Sequence, residues 1–291
     1  MTAARLAGFL AYPGVMAVGF LLFAGAQALG LGPAPAAYLA VLWGALWVTL
    51  HERLWPYRRT WQPDTADVAC DGAYMLLVQI LLPYVLALML VLAGAWIVVA
   101  TGGAPHGLWP HAWPVAVQVI VMMLAADFAR YWLHRAMHAL RPLWRLHAVH
   151  HVPDKLYWLN VGRFHPLEKA LQYLLDAAPF VLLGVSPEVL SLYFVFYAIN
   201  GFFQHSNCRV RLGWLNALVA GPELHRWHHA KPPQTCDVNF GNNLIVWDLL
   251  FGTRYLPRRR SVRRLGIAGW SVPTGFWQQM ASPFLSRAKE A

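Results

Sequence analysis

Eight of the chain's thirteen histidines fall in three dense clusters: His134 with His138, His147 with His150 and His151, and His225 with His228 and His229. Residues three or four apart share one face of a helix, so HxxxH presents two imidazoles together and HxxHH presents three. Each cluster is therefore a ready metal-binding face, imidazole being the commonest metal ligand. A tetrahedral zinc closes with four ligands, so eight rings imply two metals. Imidazole suits zinc, copper, iron and nickel alike, and at this point the metal stays open.

Two further histidines could complete the set. His205 ends an apolar run at the same membrane depth as His134; His165, followed by Pro166, could equally cap the next helix. His51, His106 and His111 are read as ordinary structural residues. Asp127, seven positions before His134 on the same helical face, and Glu223, close to His225, are the carboxylates expected to orient ligating rings through their other nitrogen. For Asp127 an ion pair with Arg130 or Arg135 is the alternative. No catalytic group separate from the metal centre is assigned.

The elements that carry these residues belong to a membrane protein. Of 291 residues, 58% are apolar and 12% charged, and the apolar ones gather in runs about as long as a bilayer is thick. The spanning candidates are Leu6 to Leu31, Tyr38 to Leu50, Ala73 to Ala100, and Trp113 to Leu133, which runs directly into His134. Pro33 and Pro35 read as a tight turn between the first two. A shorter pair, Leu167 to Leu183 and Val189 to Phe203, is marginal for spanning and reads as a re-entrant hairpin.

The net charge of +10 could suggest nucleic acid. The cationic residues are instead distributed as a membrane topology requires. Residues 31 to 37, 101 to 112 and 184 to 188 contain no Lys or Arg, whereas 51 to 68, 134 to 167 and 206 to 291 hold nearly all of them. All three histidine clusters thus fall on the cytoplasmic side of an inner membrane, as a shared centre demands, and no nucleic-acid partner is expected. Cys70, Cys208 and Cys236 lack any CxxC pairing, so neither a disulfide scaffold nor an iron-sulfur cluster is expected.

The fold expected is all-α: a polytopic bundle of about four spanning helices plus a shorter hairpin, under a cytoplasmic histidine-rich helical cap. Residues 1–112 would form the N-terminal membrane helices, 113–255 the di-metal catalytic region and 256–291 a basic cytoplasmic tail.

With HxxxH, HxxHH and HxxHH in this order, the sequence resembles the fatty acid hydroxylase and sterol desaturase superfamily, in its bacterial sterol-desaturase-like branch. The resemblance covers roughly Asp127 to Tyr255, including the segment Asp237-Val-Asn-Phe-Gly-Asn-Asn-Leu-Ile-Val-Trp-Asp-Leu-Leu-Phe-Gly-Thr253; the first hundred residues match only in hydropathy. It implies two iron ions held by the histidine boxes, dioxygen as co-substrate, and a lipid substrate such as a fatty acyl chain, sterol or glyceryl ether. No cytochrome b5 domain is present, so electrons would come from a separate donor protein or a reduced pterin.

Iron fits the chemistry, since an unactivated C–H bond resists acid-base attack at neutral pH and calls for activated dioxygen. Trp132, Trp144, Tyr157, Trp158, Tyr193, Phe194, Tyr197 and Trp227 could line an apolar tunnel or form the interfacial aromatic belt, the belt being the expected role for most of them. Two rivals remain. A zinc-dependent membrane hydrolase would need the general-base glutamate of HExxH, which HxxHH lacks. A metal transporter or store would favour ionisable groups inside several spans, where only Asp127 and Arg130 are found.

Overall fold

A computed structural model describes residues 3–101, 108–231, 237–268 and 273–285. Among these the chain is helical, with isolated two-residue bridges in place of strands. The first helix, α1 (Ala3–Ala28), turns through Gly30, whose φ of 88° suits a residue without a side chain, into α2 (Pro33–Leu54). Pro33 and Pro35 therefore begin the second helix and do not form the turn before it. A proline in the first helical turn loses no intrahelical hydrogen bond, which is why the helix starts there.

The third span begins earlier than hydropathy suggests. Asp64 caps α3 (Thr65–Ala73) by accepting from the Asp67 N–H, and Asp67 returns a bond to the Asp64 N–H. The helix then continues through a π-helical stretch, Tyr74–Leu81, into α4 (Leu82–Thr101). After the loop comes α5 (Val115–Ala139). Four stretches, Leu6–Ala28, Pro33–Leu54, Thr65–Ile97 and Val115–Ala139, are long and apolar enough to cross a membrane. The third leaves Leu88, Met89, Leu92 and Trp96 exposed, a surface suited to hydrocarbon rather than water.

From α5 the chain bends at Leu140 into α6 (Arg141–His151), with Pro142 in its first turn. A loop carrying the short 3-10 turn Trp158–Gly162 leads to α7 (Pro166–Asp176) and α8 (Ala178–Leu182). The expected run Leu167 to Leu183 is thus broken at Ala177, before Pro179. Next come α9 (Pro187–His205), α10 (Pro222–His228), α11 (Val246–Leu250) and α12 (Phe276–Ala281).

Helix α9 is the axis of the molecule. It packs on α1, α2, α5 and α10, and glycines on two of those neighbours let it come close. A Cβ added at Gly19 would stand 2.7 Å from Ile199 Cδ1, and one at Gly44 2.8 Å from Ile199 Cγ1, so Ile199 fills the space both leave. Tyr12 of α1 donates to Asn200 Oδ1 at 2.8 Å, fixing the rotation of α9 and with it the position of His205. The described parts of the segment beyond residue 255 fold back on the body. Tyr74 donates to Gln279 Oε1 at 2.8 Å, and Arg145 to the Leu285 carbonyl at 2.5 Å. Cys70 and Cys208 are free thiols; Cys236 and His106 lie outside the described residues.

Candidate metal centre

On α5, Gln118, Met122, Ala126 and Arg130 face inward at four-residue intervals, and the same face ends in His134 and His138. The sharp bend at Leu140 brings α6 back against α5, placing His147, His150 and His151 opposite them. His205 arrives on the last turn of α9, and α10 supplies His225, His228 and His229.

Nine of these rings form two adjoining groups. In one are His134, His138, His147, His151 and His228, in the other His150, His205, His225 and His229, with the ligand atoms of each group within 4.8 Å of one another. The HxxHH spacing accounts for the division. The two histidines four apart, 147 with 151 and 225 with 229, share one group, while the middle histidine of each box, 150 or 228, points to the other.

The hydrogen bonds on the far side of the rings fix their tautomers. His134, His150 and His228 lie Nδ1 to the carbonyls of Phe240, Arg163 and Val238 at 2.9, 3.2 and 2.8 Å, and a carbonyl can only accept. His147 Nδ1 donates to Glu168 at 2.8 Å and His138 Nδ1 to Asp237 at 3.1 Å. His205 Nδ1 donates to Asn160 Oδ1 at 2.8 Å, the Asn160 amide being turned by its own bond to the Lys155 carbonyl. With each Nδ1 carrying its proton outward, Nε2 presents a bare lone pair inward.

Those lone pairs converge. His134 and His147 meet Nε2 to Nε2 at 3.0 Å, and His205 and His225 likewise at 3.0 Å, while buried Nε2 atoms of His138 and His228 have no partner. Burial holds His225 down to about 3, and together with the neighbouring rings it keeps His147, His150, His151, His228 and His229 well below the usual imidazole range. Unprotonated nitrogens packed this closely repel one another unless a cation lies among them. The donor set fits two metal ions, one to each group.

The other expected residues sit elsewhere. His165 is outside both groups: its Nδ1 accepts from the Leu167 N–H, capping α7, and its Nε2 meets the Met280 carbonyl. Glu223 accepts from Leu212 N and Asn216 Nδ2, bracing a loop and touching no imidazole. Asp127 accepts from the Asn243 and Leu244 main chain and the Asn243 amide, while Arg130 pairs with Asp176 at 2.8 Å. Neither role expected of Asp127 is the observed one. His51 and His111 are also outside the groups.

The residues that do orient the rings, Glu168, Asp237 and Asn160, are absent from the sequence expectation. Asp237 was nevertheless visible as the first residue of the 237–253 signature, and the structure shows what that signature does. Asp237, Val238 and Phe240 each hold one imidazole. Asn239, in the left-handed region at φ 57°, ties the segment to Leu224 and Tyr255, and Asp248 accepts from the Phe240 and Gly241 N–H groups. A side chain at position 241 would collide, its Cβ lying 2.4 Å from the Leu244 carbonyl oxygen.

Above the histidines lies a cavity of about 420 Å³, with His134, His147, His150, His205 and His225 along one end. Tyr38 and Leu42 of α2 and Ile80 of the π-helical stretch line it while exposed on the outer surface, so its mouth opens sideways between two spanning segments. Trp158, Tyr193, Phe194 and Tyr197 line the cavity, whereas Trp132, Trp144, Tyr157 and Trp227 do not.

Residues 119–253 match the family described as fatty acid hydroxylase. Ornithine lipid hydroxylase OlsE of Rhizobium tropici is 34% identical over 245 residues, 84% of this chain and 74% of that protein. The similarity therefore extends into the first hundred residues, beyond hydropathy alone. Alkylglycerol monooxygenase of Danio rerio is 30% identical over 177 residues, 61% of this chain but only 37% of that protein. Very-long-chain aldehyde decarbonylase GL1-8 of Oryza sativa subsp. indica is 30% identical over 146 residues, 50% of this chain and 54% of that protein. No solved structure matches the chain.

Proposed function

The chain belongs to the fatty acid hydroxylase family, and on that footing we propose that it is a membrane di-iron oxygenase acting with dioxygen on a lipid taken from the bilayer. The observation that carries this reading is the convergence of unprotonated imidazole nitrogens, in two groups, at the end of a cavity whose mouth faces the apolar belt. When bound, iron would supply the dioxygen activation that an unactivated C–H bond requires.

The chain's own residues do the rest. His134, His138, His147, His151 and His228 would hold one ion, and His150, His205, His225 and His229 the other. Glu168, Asp237, Asn160 and three main-chain carbonyls keep six of these rings, His134, His138, His147, His150, His205 and His228, turned with the Nδ1 proton facing away from the site. The cavity walls, from Met122, Val161 and Phe164 among others, exclude water from the reacting bond. In a hydroxylation one oxygen atom enters the C–H bond and the other leaves as water, with two protons and two electrons consumed. A separate donor protein or a reduced pterin supplies the electrons. Residues 113–255 form the catalytic region, and the Lys and Arg distribution supports its lying on the cytoplasmic face of the inner membrane.

The names of the relatives, an ornithine lipid hydroxylase and an alkylglycerol monooxygenase, support a polar lipid as substrate. A zinc hydrolase is less well supported, because Glu168 and Asp237, the carboxylates bonded to imidazoles among the described residues, are engaged in orienting rings. Metal analysis of the purified protein, with mass spectrometry of host lipids with and without the gene, tests the proposal. Two irons per chain, and a lipid gaining one oxygen or losing two hydrogens, are expected. Zinc with a hydrolysed product, or an unaltered lipid profile, would refute it.

A further inference from the structure

The cavity is not uniformly apolar, and its polar groups are not satisfied. Within a membrane bundle, buried polar side chains mark a site more often than a structural need. Gln79 Oε1, Gln172 Oε1, Tyr173 OH and Tyr193 OH are all buried without a hydrogen-bond partner, and all four residues line this one cavity. A chamber meant for a hydrocarbon chain alone gains nothing from stranded polar atoms, each of which costs about 1–3 kcal/mol.

Beside them lies Lys169. It is 6% exposed and lines the cavity, and its Nζ donates only to Tyr197 OH, at 3.3 Å. Among the described residues no carboxylate forms an ion pair with it; Asp176, the acid two turns along α7, is taken by Arg130. Its chain neighbour, Glu168, holds His147 through Oε1, keeps Oε2 without a hydrogen-bond partner and interacts electrostatically with Lys169, so this cation, in no ion pair of its own, stands close to the metal end of the cavity.

Taking the cavity as the lipid site of the proposed function, we infer that it admits the polar head of an amphiphile, with an anionic oxygen of that head on Lys169 and its N–H or O–H donors on the side-chain carbonyls of Gln172 and Gln79. The tail then leads outward past Leu42 and Ile80 into the bilayer. The substrate class is an acidic lipid whose head also carries an amide, amine or hydroxyl.

Binding tests this without turnover. The full-length protein in phosphatidylcholine nanodiscs would be titrated with radiolabelled N-palmitoylglycine and with its methyl ester, which keeps the amide and chain but loses the charge. The acid is expected to bind at least about tenfold tighter, the size of one hydrogen bond to a buried charge. Lys169→Met should abolish that preference, the acid losing more affinity than the ester, and Lys169→Arg should retain most of it. Gln172→Leu should weaken both ligands. Equal binding of acid and ester by the wild type overturns the inference even if Lys169→Met fails to fold, as does a preference that survives in Lys169→Met. A protein that oxidises no lipid yet binds in this pattern would sink the oxygenase proposal and leave the head-group site standing; oxidation of lipid without the preference would do the reverse.

Discussion

Asp127 accepts a hydrogen bond from the main-chain N–H of Asn243 at 2.9 Å, across 116 residues of sequence. Through it a spanning helix grips the 237–244 loop, the same loop whose Phe240 carbonyl turns His134. A carboxylate that touches no imidazole is therefore a determinant of the centre's geometry.

Removing it should loosen the loop. Asp127→Ala strands two buried donors, Asn243 N and Asn243 Nδ2, and the half-buried Leu244 N. A loss of roughly 3 kcal/mol or more is expected, seen as a lower thermal midpoint in detergent, together with reduced metal content. Wild-type stability in this variant would show that the loop is held by other means.

Glu168 fixes His147 from behind, and its removal should act on metal rather than fold. Glu168→Ala is predicted to lower metal affinity by about 10- to 100-fold, read as metal retained per chain against a graded chelator challenge. Glu168→Gln, which still offers an acceptor to Nδ1, should fall between.

The two further ligand candidates, His205 and His165, should separate cleanly. His205→Ala removes one of the four rings of its group and should lower the metal bound per chain. His165→Ala removes a helix cap and the bond to the Met280 carbonyl but no ring of either group, so metal content should match the wild type with a stability loss of about 1–2 kcal/mol. Equal metal loss in both would overturn the grouping.

Stripping the metal altogether should destabilise the protein. Lone pairs held 3.0 Å apart, as between His134 and His147, repel once no cation lies among them. Chelation should therefore lower the thermal midpoint, and re-addition of iron should restore it, mass action favouring the folded state that binds.

Packing at the axis helix offers a test independent of the site. Gly44→Val places a branched side chain where a bare Cβ would already be 2.8 Å from Ile199. Overpacking of this kind costs about 1–3 kcal/mol, visible as a lower thermal midpoint or poor expression.

The clustered histidines were legible because their pattern is local: spacings of three and four fix a shared helical face whatever the tertiary structure does. Their orienting partners were not, since Glu168 lies 21 residues from His147 and Asp237 lies 99 from His138. Sequence separates His205 from His165 only by its depth level with His134 and by the Pro166 that follows His165; the rotation of α9, held by Tyr12 and Asn200, is what carries the His205 ring to its group. Spans were legible in number but not in bounds. Hydropathy begins the third at Ala73, whereas the Asp64 and Asp67 capping box begins it at Thr65, a polar signal that an apolar window passes over. The Ala177 break hides within an apolar run for the same reason.

If the proposed function holds, the sideways mouth between α2 and the π-helical stretch decides which molecules compete for the centre. Candidates arrive by diffusion in two dimensions, already dissolved in oil, and their abundance in the leaflet sets occupancy while aqueous concentration counts for little. On the proposed function, a water-soluble molecule bearing the same head would compete poorly, and a change in membrane composition would alter turnover with the protein itself untouched.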